Sequence, residues 1–189
     1  MACTEVAYAL RNCTDYIIAS PNETLTEGFP YNEFMGDLFE KEANLVNVAT
    51  EFYKHYENES GSVSLIKTKE MDSLATACQA IFKDKTEEDL FAINPNELQL
   101  MESIKRGNHA LYDFDDYISH LATPEQYETF KRCLDQAIVY KACTPRVFFE
   151  KRGYITINKF SGLSIYVPQK ELGKLNEWYK CLDWYKDVF

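Results

Sequence analysis

The sequence predicts an α/β fold, a mostly parallel sheet flanked by helices with a helical insert in the middle of the chain. Three observations point there. Short apolar runs, "DYIIAS" and "SVSLIKT", alternate with segments of helical period. Residues 86–142 read as several helices, and β-rich runs, "RVFFE", "YITINKF" and "LSIYV", return before the end. Strand, helix, strand, helix is the order that favours a parallel, helix-covered sheet.

Taken in order, Thr4 to Arg11 is expected as a short helix with Val6, Ala9 and Leu10 on one apolar face. "DYIIAS" follows as a strand and empties into a turn that holds Glu23 and Glu27, the latter directly before the glycine of "GFPY". Phe34, Leu38, Leu45, Val48, Phe52 and Tyr56 then recur at helical spacings over two helices, ended by "ESGS". In "SVSLIKT", Val63, Leu65 and Lys67 face one side of a second strand and Ser64 and Ile66 the other. Met71, Leu74, Cys78 and Ile81 mark the next helix. The middle offers Thr86, Asn94 or Asn96 and Thr123 as caps, Pro124 at a first helical position, and no strand. Asp113, Asp115 and Asp116 crowd beside Tyr112, Phe114 and Tyr117 but lack EF-hand spacing and its glycine, so they are expected to form a solvated helix start. Gly153 and Gly162 serve as turns among the closing strands. One final helix carries Leu172, Leu175, Trp178, Leu182 and Trp184 or Tyr185.

Composition excludes several function classes. At 189 residues, 46% hydrophobic and 14% aromatic, the chain can bury its own core. A net charge of -10, from 30 acids against 20 Lys plus Arg, opposes a phosphate backbone and favours basic partners, so nucleic acid is not expected. The apolar runs are too short for a membrane span, and "MACTEVAYALRN" has no signal architecture. Six cysteines (Cys3, Cys13, Cys78, Cys133, Cys143 and Cys181) show no CxxC pair, which argues for free thiols rather than a disulfide framework or a zinc site. His55, His109 and His120 stand far apart without HExxH spacing. No G-x-S-x-G, P-loop or G-x-G-x-x-G is present, and no metal or cofactor is expected.

The residues alone name no reaction. "MACTEVAYALRNCTDYIIASPNETLTEGFPY" resembles the segment that follows the nucleophile in clostripain-like cysteine peptidases, a bacterial family with a caspase-like fold. "YENESGSVSLIKTKEMDSLATA" and "FSGLSIYVP" resemble later parts of the same family. The resemblance implies a partial caspase-like fold: residues 1–85 as the C-terminal half of the peptidase core, 86–142 as the helical insert, and 143–189 as closing strands and C-terminal helix, packed as one unit. In the family an Asp-Ala-Cys triplet provides the nucleophile, and Met1 lines up with a methionine just after it. The catalytic cysteine and its histidine would then lie upstream, and Cys3 is not the nucleophile, so the chain is expected to be truncated and inactive alone.

What this portion would contribute is the pocket for an Arg or Lys side chain. The resemblance aligns Glu27 with the family's pocket acid, usually aspartate, and implies that Ser20 and Thr24 line the same pocket. The expected partners are a peptide or protein substrate with a basic residue and the missing N-terminal half, with edge-strand dimers where β pairing is left open. An extracellular or cell-envelope location is implied by the family. The alternative is a non-catalytic binding or structural module derived from the same scaffold.

Overall fold

The computed structural model of the chain describes residues 2–102, 109–150 and 153–189. Helix α1 (Thr4–Ala9) leads into β1 (Tyr16–Ala19), followed by α2 (Tyr31–Leu38), α3 (Leu45–Tyr56) and β2 (Ser62–Lys67). Then come α4 (Met71–Phe82), α5 (Glu87–Phe91), β3 (Leu111–Asp113), α6 (Phe114–Ser119), α7 (Pro124–Ala137) and β4 (Ile138–Cys143). The hairpin strands β5 (Arg146–Phe149) and β6 (Gly153–Thr156), β7 (Ser164–Tyr166), α8 (Gly173–Tyr179) and α9 (Asp183–Val188) complete the described elements.

The expected parallel sheet is corrected. The strands form a sheet of order β1-β2-β4 and two separate pairs, β3-β7 and β5-β6. Every pairing between these strands is antiparallel, while an isolated parallel bridge joins Cys3 to Ser164. The reason lies in the number of crossings. A single helix between two strands returns the chain for a parallel neighbour, whereas α2 and α3 pack together between β1 and β2 and reverse it twice. The packed helices α4 and α7 do the same between β2 and β4.

β2 is the middle strand and is buried on both faces, more fully than an alternating pattern implies. Val63 and Leu65 join Ala49, Phe52 and Tyr56 of α3 in a smaller core. Ile66 joins Met71, Leu74, Cys78 and Ile81 in the larger one, which draws residues from Ala2 to Val188. α3 and α7 therefore cover opposite sides of one sheet.

Other expectations need correction. The middle of the chain is not free of strands: β3 and all but the last residue of β4 fall inside 86–142, and β4 follows α7 without a break because the backbone turns extended at Ile138 (ψ 96°). Part of the expected helical run, residues 103–108, lies outside the described residues, as does Met1. In α1 the apolar face is reversed, with Thr4, Glu5, Ala7 and Tyr8 buried while Val6, Ala9 and Leu10 are exposed. The acid trio is a helix start but not a solvated one. Asp113 caps α6 and accepts from Ser161 N–H (2.6 Å), and buried Asp116 accepts from Gln99 N–H (2.7 Å) and pairs with Lys159. The final helix is two helices, with Trp184 and Val188 buried and Trp178 67% exposed. The caps at Thr86, Asn94 and Thr123 are present as expected, two of them as reciprocal capping boxes. No helix among the described residues is long and apolar enough to cross a membrane.

Candidate functional site

The loop after β1 is pinned at both ends by side chains. At its start, the buried Ser20 hydroxyl lies 2.7 Å from Ser62 Oγ, donates to Asn22 C=O and accepts from Asn22 N–H. Asn22 is buried as well, and its amide donates to Met101 C=O (3.1 Å). At the far end, Tyr56 Oη donates to Gly28 C=O, and the Phe29 ring packs on Phe52 with centroids 4.4 Å apart. Gly28 has φ +73° and donates its N–H to Leu25 C=O (2.9 Å), closing a tight turn that only glycine enters without strain.

Glu27 stands on this turn, directly before Gly28. It is exposed and makes no hydrogen bond or ion pair among the described residues. Thr24 is exposed in the same loop, whereas the Ser20 hydroxyl is committed to holding the loop's base. Burial, followed by the charges of Glu27, Glu59 and Glu33, raises the Tyr56 hydroxyl above its ordinary value, so three carboxylates act on the tyrosine that fixes the turn. Glu33 also bonds His55 Nδ1 (2.8 Å).

Residues that sequence reasoning missed hold the site from below. Ser62, Tyr56 and Asn22 read as strand, core and loop residues respectively, and nothing in their spacing marks them. Glu23, named only as a turn acid, accepts the Glu150 N–H through Oε2 (3.1 Å), which ties the loop to the β5-β6 hairpin.

Cys3 is buried, and its thiol donates to the Glu5 carboxylate. Burial first, then the Glu5 charge, pushes this thiol well above its ordinary value, the reverse of what a nucleophilic thiolate needs. Residues 2–4 are clamped between two strand ends. Ala2 N–H donates to Ser20 C=O (2.8 Å), Ser164 N–H to Ala2 C=O (2.9 Å), and Thr4 Oγ1 to Ser164 C=O (3.0 Å). The cysteines are all free thiols, and no cluster of three or more metal-ligating side chains occurs among the described residues.

The α/β fold of this chain matches solved C11 protease structures. The structure of an inactive zymogen C11 protease from Parabacteroides distasonis matches with a TM-score of 0.98 and 56% identity, over 100% of this chain and 56% of that one. A clostripain from Bacteroides thetaiotaomicron, in complex with the peptide inhibitor BTN-VLTK-AOMK, matches at 0.85 and 28% identity, over 100% of this chain and 82% of that one. A secreted C11 cysteine protease from the same organism matches at 0.84 and 28%, over 100% and 53%. The clostripain family model matches residues 1–189, and the chain belongs to the clostripain family. It spans about half the length of the first of these solved relatives. No curated protein matches.

Proposed function

We propose that this chain is the substrate-recognition portion of a clostripain-family cysteine endopeptidase that cleaves after Arg or Lys, and that Glu27 receives the basic side chain. The observation that carries the reading is an exposed carboxylate on a turn held rigid by Gly28, Tyr56 and Ser20, with no competing cation bonded to it among the described residues. A lysine or arginine arriving there meets a preorganised charge, and a neutral side chain leaves that carboxylate unpaired once water is excluded. Thr24 lines the pocket mouth, and Ser20 contributes by fixing the loop's base. The lysine in the VLTK inhibitor carried by the Bacteroides thetaiotaomicron relative supports the same chemistry.

In this reading the nucleophile and its histidine base belong to the part of such a peptidase that this chain does not span. Buried Cys3, bonded to Glu5, is unsuited to the role. The test is hydrolysis of a fluorogenic Arg or Lys peptide by the 189-residue chain and by the same chain extended upstream. Only the extended form should cleave, and Glu27→Gln in it should cost ~1.5–3 kcal/mol of transition-state binding, roughly 10- to 150-fold in kcat/KM. Cleavage that is indifferent to Glu27→Gln would remove the acid from the pocket.

A further inference from the structure

We infer that the outward side of α1, with the apolar groove it shares with β3 and α8, is the seat of the portion of a C11 peptidase that this chain does not span. The inference rests on family membership and not on the reading of Glu27. α1 carries apolar residues on both of its sides. Ala7 and Tyr8 face the core, while Val6 (46% exposed), Ala9 and Leu10 face solvent. A helix that is apolar all round belongs in an interior, and half of this one lies bare.

The bare side continues into a groove of about 270 Å³ lined by Val6, Leu111, Leu175, Trp178 and Leu182, which come from both ends and the middle of the chain. Trp178 is 67% exposed, with Leu175 and Leu182 exposed beside it. The polar groups of the same wall are already bonded within the chain. Glu5 accepts from the Cys3 thiol (2.6 Å) and from Tyr166 N–H (2.9 Å), and Tyr166 Oη donates to Asn176 Oδ1 (2.7 Å). The groove therefore offers apolar contact and no spare charge, which fits an apolar protein face rather than a small ligand oriented by polar groups.

The solved relatives supply the occupant. This chain matches the Parabacteroides distasonis zymogen protease along its whole length yet accounts for 56% of that chain, so the rest of such a peptidase needs a seat on this body. A portion of that size takes its binding energy from a few desolvated anchors, with tryptophan the most favoured of them. Trp178 stands at this face with leucines on either side, and α1 presents its apolar stripe next to it. An apolar face of the remaining portion, laid across α1 and α8, would bury both.

Hydroxyl-radical footprinting read by mass spectrometry tests this on the 189-residue chain and on the form extended upstream. In the 189-residue chain Trp178 should oxidise readily while buried Trp184 stays protected, and in the extended form Trp178 should fall to the level of Trp184. Trp178→Lys places a charge in a dry interface, so it should lower the Tm of the extended form by roughly 4 °C or more and leave that of the 189-residue chain unchanged. Equal oxidation of Trp178 in both forms, or the same Tm response in both, overturns the seat. Protection of Trp178 that grows with the concentration of the 189-residue chain makes a second copy the occupant and overturns it as well. Cleavage indifferent to Glu27→Gln, with Trp178 protected in the extended form, removes the acid pocket and leaves the seat standing.

Discussion

A carboxylate buried in the first turn of a helix, as Glu5 is in α1, binds its proton more tightly in the folded chain than in the unfolded one. Burial is the largest cause and raises its carboxyl above 4.5, although Cys3 and Tyr166 N–H bond the charge. With a raised folded value, this contribution to stability is complete below the unfolded value and is lost as pH rises through the folded one. Glu5→Gln should therefore flatten the fall in Tm between pH 4.5 and 8, measured by thermal melts, and an unchanged slope would contradict it. Thiol burial predicts an order of reactivity at the same scale. Cys13 and Cys181 are exposed, while Cys3 and Cys78 are buried with raised thiols. Iodoacetamide at pH 8 should label the first two in the native protein and the others only in denaturant, as read by peptide mass mapping.

Among the elements, α7 is the one whose boundaries are written most fully in local chemistry. Thr123 accepts from Gln126 N–H, the Gln126 side chain returns to Thr123 N–H, and Pro124 fills the first turn. Thr123→Ala should cost about 1 kcal/mol by urea unfolding. The approach to β7 shows the opposite case, a position that only tertiary contact explains. Gly162 has φ +94°, and an added Cβ would lie 2.9 Å from Ser64 Oγ, the group that donates to Gly162 C=O. Gly162→Ala should destabilise by more than the ~1–2 kcal/mol of a left-handed backbone alone, because it also displaces a buried hydrogen bond between β2 and the turn before β7. A loss under 1 kcal/mol would show that the turn can relax.

For the whole molecule, β1 decides how the chain meets other copies of itself. Among the described residues it is the edge of its sheet, and beside it a groove of about 340 Å³ is lined by Tyr16, Ile18, Phe29 and Phe34, with Phe39 80% exposed nearby. An edge strand next to apolar surface invites pairing. The isolated chain is expected to self-associate with concentration in light scattering, and Tyr16→Lys to shift it toward monomer. A monomer at every concentration would overturn this. A net charge of -10 sets the same molecule against polyanions at any scale.

The sequence by itself determined the α/β class, the order of most elements, the buried face of α4, and the caps at Thr86, Asn94 and Thr123, because periodicity and capping are local chemistry. It also singled out Glu27, through resemblance rather than spacing. Only the tertiary structure decided strand direction, since that depends on how many helices pack between two strands. The buried face of α1 was likewise decided by what it meets. Glu5 and Thr4 go inward because Tyr166 N–H and Ser164 C=O wait there, 160 or more residues away. The same is true of the candidate site. Ser20, Tyr56 and Glu23 hold the Glu27 loop through partners on β2, the turn at Gly28 and the β5-β6 hairpin, contacts that no local pattern could announce.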